Sequence, residues 1–219
     1  MGERTAEPAT GAVAGRVRRA TLIGVVTGIG RGTDRAAACR LLSGALSAVA
    51  GTAVEPPAFT VGAEFRGSYP TVGAAIDAAL RLRLTVTAVA DIRFGIGWGE
   101  VGPPGPGGLG GPGWWAARRA VDETAATAQR PGFTHVRTTF AADGRCDVET
   151  VNAALMCRDY MLGTLDARSV RILRGLLNDR TKRDIAAAEG ISPSAVSQRA
   201  TRDGLDLLVT VIRRLREVP

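Results

Sequence analysis

The hydrophobic period changes once along this chain, and that change limits its possible folds more than any other feature. Up to residue 141 the apolar segments are short, β-branched or alternating, and are interleaved with helical stretches; from residue 148 onward the period is 3.6 and strand signals vanish. A sheet layer and a helix bundle bury different faces. The expected fold is therefore a mixed α/β (α+β) domain at 19–142 followed by an all-α domain at 147–219, with the boundary near 142–147. A length of 219 residues suffices for two small cores.

The first domain reads in the order β-α-β-β-α-β. Residues 20–27 form a β-branched run suited to a buried strand, and Gly28-Ile-Gly-Arg-Gly32 is expected to stop it. Asp34 is placed to cap a helix over 35–49. Short strands are expected at 58–61 and 65–69, a helix at 73–84, and a strand at 91–100 with Ile92, Phe94, Ile96 and Trp98 on one face. Residues 102–113 are nearly all Gly and Pro and read as a flexible excursion, while 1–18 read as a disordered arm. A helix over 114–128 and a fifth strand within 132–141 complete the domain, and further helices are expected at 148–162, 167–178, 182–189, 193–203 and 205–216.

The stretch 181–203 carries the pattern of a helix-turn-helix. Ile185 and Ala186 would pack the first helix, Gly190 permits a left-handed turn, Ile191 plugs the corner and Val196 faces inward from the second helix. Ser192 is a natural N-cap, and Pro193 sits where its missing N–H costs nothing. Ser194, Ser197, Gln198 and Arg202 would then point outward, residue types that read base edges and phosphates in a major groove. The expected DNA-contacting set is Lys182, Arg183, Ser192, Ser194, Ser197, Gln198, Arg199 and Arg202. Glu189 and the small Ala200 make a shallow core, which would lean on the 205–216 helix or on a second copy. Leu208, Val211, Ile212 and Leu215 form the stripe for either role.

Charge agrees with an anionic partner. The chain has 28 Lys+Arg against 21 Asp+Glu, a formal charge of +7, and Lys182 is its only lysine. No apolar run is long enough for a membrane span, and the first twenty residues lack the apolar core of a secretion signal, so a cytoplasmic protein is expected. Cys39, Cys146 and Cys157 show no CxxC spacing and are expected to be buried thiols, and the single histidine, His135, makes a zinc site improbable. No cofactor is expected.

Five motifs together resemble the SatD family of bacterial proteins. They are Gly24-Val25-Val26-Thr27-Gly28, Gly62-Ala63-Glu64-Phe65-Arg66-Gly67, residues 93–100 (Arg-Phe-Gly-Ile-Gly-Trp-Gly-Glu), residues 111–118 (Gly-Pro-Gly-Trp-Trp-Ala-Ala-Arg) and residues 195–199 (Ala-Val-Ser-Gln-Arg). The resemblance spans about residues 20–210 and implies a palm (ferredoxin-like) domain similar to nucleotidyl cyclases and GGDEF synthases, joined to a C-terminal helix-turn-helix. Such enzymes hold two Mg²⁺ ions on a pair of carboxylates; the matching positions here are Val25 and Ala63, which cannot bind a metal. The resemblance thus implies a catalytically inactive domain. Its pocket would still have the backbone N–H groups of Gly28, Gly30 and Gly32 with Arg31 for phosphate, unless these make a plain strand-to-helix turn. Arg66 would meet a phosphate or pair with Glu64, and Trp114 and Trp115 would stack a purine unless one belongs to the core.

The leading expectation is a DNA-binding transcription regulator. It would form a homodimer on a palindromic operator, and its palm would sense a small ligand such as a nucleotide. Two alternatives are an enzyme with rearranged metal ligands Glu64, Asp91 and Glu100, and a protein-interaction module acting on the transcription machinery.

Overall fold

The computed structural model describes residues 17–30, 34–102 and 110–219. The expected arm lies almost wholly outside these residues, as do Arg31, Gly32 and most of the Gly/Pro stretch. The first half runs β1 (Val17–Ile29), α1 (Arg35–Val49), β2 (Glu55–Phe59), β3 (Glu64–Tyr69), α2 (Val72–Val86), β4 (Ala90–Val101), α3 (Pro112–Thr127) and β5 (Thr138–Ala142). The second half is helical: α4 (Val148–Thr164), α5 (Ala167–Leu177), α6 (Lys182–Glu189), α7 (Pro193–Arg202) and α8 (Leu205–Arg216). The five strands form one sheet in the order β2-β3-β1-β4-β5. Only the β4–β5 pairing is parallel.

Alternation along the strands sorts the two faces of the sheet. On one face Leu22, Phe65, Phe94, Ile96 and Phe140 pack against α1, α2 and α4 in the main core. On the other, Ile23 meets Ala117 and Val121 of α3. Here the glycines of 93–100 have their reason: a Cβ on Gly95 would strike backbone of Ala117 and Val121, and one on Gly97 would strike backbone of Gly113 and Ala117. The helix rests directly on strand backbone, so this motif is one of packing. Thr21 Oγ1 fixes the contact, donating to Gly113 O at 2.8 Å.

Several expectations are corrected. β1 continues through Gly28 because it pairs with β4 as far as Ile29↔Ala90, with a bulge after Val26. The excursion at 102–113 already becomes helix at Pro112, with Gly111 as N-cap at φ 102°. The fifth strand begins only at Thr138, since turns such as Phe133 N to Arg130 O (3.0 Å) and Val136 N to Phe133 O (3.0 Å) occupy the preceding loop. All three cysteines are exposed rather than buried.

The helical half is built onto the sheet rather than beside it. α4 buries Val151 and Leu155 in the sheet core, and Asn152 pairs with the Phe140 backbone through bonds of 2.8 and 2.9 Å. α2 feeds both cores, since Leu80 and Leu84 join Ile172, Leu173, Ile185, Val196, Leu208 and Ile212 in the second cluster. The stripe on α8 is therefore spent inside the chain. Beneath this joint lies a buried ion cluster: Asp159, with no exposed surface, accepts from Arg83 Nη1 (2.8 Å), Arg158 Nη2 (2.8 Å) and the backbone N–H of Arg137 (2.7 Å) and Thr138 (2.8 Å). Among the described residues, no helix is long and apolar enough to cross a membrane.

Candidate functional site

The helix-turn-helix is built from local signals that each meet a partner. Thr181 caps α6 by accepting from Asp184 N at 3.1 Å, and Ser192 caps α7 by accepting from Ala195 N at 3.1 Å. Gly190 adopts the left-handed conformation (φ 65°, ψ 36°) between them, and Ile191 N closes the turn onto Ala186 O at 3.1 Å. Ile185, Ala186, Val196 and Ala200 are buried. The small Ala200 is fully buried, in the same cluster as Leu205 and Leu208. Glu189, at the end of α6, pairs with Arg171 of α5 at 2.8 Å and with Arg168 at 3.7 Å.

This packing leaves one face of the motif to solvent. Arg183, Ser194, Gln198 and Arg202 are exposed, and Lys182 and Ser197 are half-buried. Lys182 reaches Asp206 at only 3.7 Å, and Arg202 pairs with the adjacent Asp203 while remaining mostly exposed. Such surface pairs are worth less than ~1 kcal/mol, so a phosphate can displace them. Ser192 Oγ is occupied as a cap and also meets Ser194 Oγ at 2.8 Å.

Arg199 is not part of this face. Its Nη1 turns inward to Asp166 Oδ2 (2.5 Å) and Ser169 Oγ (3.0 Å), tying α7 to the N-terminus of α5. The backbone N–H of Ser169 and the Arg199 guanidinium bring the Asp166 carboxyl down to about 2. The clamp joins the second helix to the start of α5.

The sheet face under α3 holds the expected ligand residues, in a different arrangement. Glu64 on β3 and Arg93 on β4 flank Val25 of β1 in register. Glu64 Oε1 accepts from Arg66 Nε and Oε2 from Arg118 Nη2, both at 2.6 Å. Burial alone would raise the Glu64 carboxyl, but the hydrogen bonds from Arg118 and Arg66 outweigh it and hold it below the usual carboxylate range. Two arginines thus stand against the Glu64 carboxylate. Arg93 Nε is buried with no hydrogen-bond partner. Trp114 packs against the Ile23–Ala117–Val121 cluster, whereas Trp115 is exposed.

The phosphate-loop expectation fails at two of its glycines. Gly28 lies in β1 opposite Asp91, and the Gly30 N–H is taken by Val89 O at 2.9 Å. The alternative metal set fails as well. Asp91 and Glu100 sit near opposite ends of β4, about 30 Å apart at ~3.3 Å per residue, and cannot converge with Glu64. Asp91 is bound instead by Arg137 Nε at 2.8 Å.

Sequence reasoning missed Arg118, Arg93 and the Asp159 cluster. Arg118 stood within a motif already noted, so its position was visible and only its partner was hidden.

No family model matches the chain, and no curated protein matches it. Among solved structures, a bacterial light-regulated adenylyl cyclase is similar at 16% identity, over 57% of this chain and 43% of that one, with a TM-score of 0.41. The chain thus spans less than half the length of that cyclase chain. The Regulator of Polyketide Synthase Expression from Bifidobacterium adolescentis is similar at 14% identity, over 92% of this chain and 85% of that one, with a TM-score of 0.27.

Proposed function

We propose that this chain is a DNA-binding transcription regulator that reads a major groove with α7. The observation that carries the reading is the capped α6–turn–α7 unit, whose inward residues are all packed while Arg183, Ser194, Gln198 and Arg202 stay exposed on its surface. Gln198 can pair with adenine, and Arg183 and Arg202 meet phosphates. The sheet domain serves as a ligand-sensing or dimerising unit. We take it as catalytically inactive, a reading supported by Val25 and Ala63, which offer no metal ligand, and by the two arginines paired with Glu64. A homodimer would set two α7 helices about one DNA turn apart (~34 Å), so the operator is palindromic.

Selection of genomic fragments by the purified full-length protein at two salt concentrations tests this reading. One enriched palindrome is the expected result. Uniform, steeply salt-dependent recovery would reduce the +7 charge to backbone binding. Failure to retain any fragment would turn the motif into a protein-binding surface.

A further inference from the structure

A trough runs along the joint between the sheet domain and the helical half. It consists of a cleft of about 350 Å³ between α2, the end of α4 and α5, and a smaller adjoining cavity of about 120 Å³ that reaches α1 and α8. Leu84, Thr85 and Arg174 line both. No carboxylate lines either one, although five arginines do: Arg81, Arg83, Arg171, Arg174 and Arg216.

The carboxylates behind the walls are overcommitted. Asp77 serves both Arg81 (2.7 Å) and Arg216 (2.6 Å), Asp159 serves Arg83 and Arg158 (both 2.8 Å), and Glu189 serves Arg171 (2.8 Å) and Arg168 (3.7 Å). Arg174 has no ion-pair partner among the described residues, and Arg216 Nη2 is buried with no hydrogen-bond partner. Burial pushes the Arg83 guanidinium below the usual arginine range, against the opposing pull of Asp159. A joint built this way is electropositive, has apolar walls from Leu84, Leu162, Leu165 and Val170, and is of a size for a small molecule.

We propose that this trough binds a small organic anion, whose carboxylate or phosphate is held by Arg174 and whose apolar body lies against Leu84 and Val170. An oxyanion there gains charge-assisted bonds from groups that now lack them. Because α2 belongs to the sheet core and α5 carries the helix-turn-helix, the ligand bridges the two halves and stabilises their present arrangement.

Thermal unfolding of the full-length protein tests this without DNA, so its outcome is independent of the DNA-binding reading. The probes are benzoate and inorganic phosphate, titrated against chloride at constant ionic strength. The proteins are wild type, Arg174→Gln and the remote control Arg40→Gln. A saturable rise of roughly 5–10 °C at a hundredfold excess over the dissociation constant is expected for wild type and Arg40→Gln. Arg174→Gln should need at least about tenfold more ligand, the effect of losing one charge-assisted contact. Response to benzoate alone marks a carboxylate site, and response to phosphate alone marks a phosphate site. No saturable shift with either probe, or identical curves for wild type and Arg174→Gln, overturns the proposal.

Discussion

Replacing Gly97 by alanine tests whether α3 rests on the backbone of β4. The new Cβ would collide with backbone atoms of Gly113 and Ala117 and come within 2.9 Å of Thr21 Oγ1. Inserting a methyl into a packed site costs ~1–3 kcal/mol, and the upper end applies because main chain, not a flexible side chain, must move. Thr21 donates to Gly97 O (3.2 Å) and Gly113 O (2.8 Å), so a retreating helix also loses about 1 kcal/mol of hydrogen bonding. Lower entropy of the unfolded chain returns ~0.4–1 kcal/mol. The net is about 3 kcal/mol, a fall in Tm of roughly 6–12 °C for a chain of this size. Gly44 supplies the control. It is exposed on α1 with nothing near its Cβ position, so Gly44→Ala should raise Tm by roughly 2–4 °C. Differential scanning calorimetry of both variants decides the matter. A Gly97→Ala protein that melts within about 2 °C of wild type would refute the close contact.

Two further substitutions probe ion pairs, one at the joint between the halves and one within the helical half. Asp159→Asn leaves the fully buried Arg158 and the neighbouring Arg83 without their shared anion, and should lower stability by ~3–5 kcal/mol in urea titration; a loss under about 1 kcal/mol would show the cluster to be idle. The Asp166 carboxyl lies at about 2 in the folded protein against an ordinary 3.8, so its stabilisation is complete above 3.8 and is lost as pH falls towards 2. Asp166→Asn keeps the α5 cap but not the charge, so its deficit against wild type should shrink as pH drops through that window. A deficit that stays constant with pH would contradict the Arg199 clamp.

Most of the local structure could be read from the sequence because its signals are short-range. Asp34, Ser192, Pro193 and Gly190 act within a few residues of themselves, and each stands where its cap or turn requires. The strand over 91–100 was visible as alternation, but the purpose of its glycines was not, since only the approach of α3 requires them. Gly28 and the late start of β5 were misread because strand ends depend on the partner: β4 carries β1 past its glycine, and turns delay β5. The cysteines were misplaced because a thiol gives no periodic signal of its own. The exposed face of α6 and α7 was legible as a list but not residue by residue. Nothing local distinguishes Arg199, which turns to Asp166, from Arg202, which stays outside. The trough at the joint was invisible because its arginines come from elements far apart in sequence.

The most direct test of DNA reading by α7 is the affinity of wild type and Gln198→Ala for the fragment enriched in selection, measured by fluorescence anisotropy over a series of single-base variants. Gln198→Ala should lose ~1–3 kcal/mol on the enriched fragment, with discrimination relaxed at one base pair and kept at the others. Unchanged affinity and unchanged base preference in Gln198→Ala would contradict DNA reading by α7.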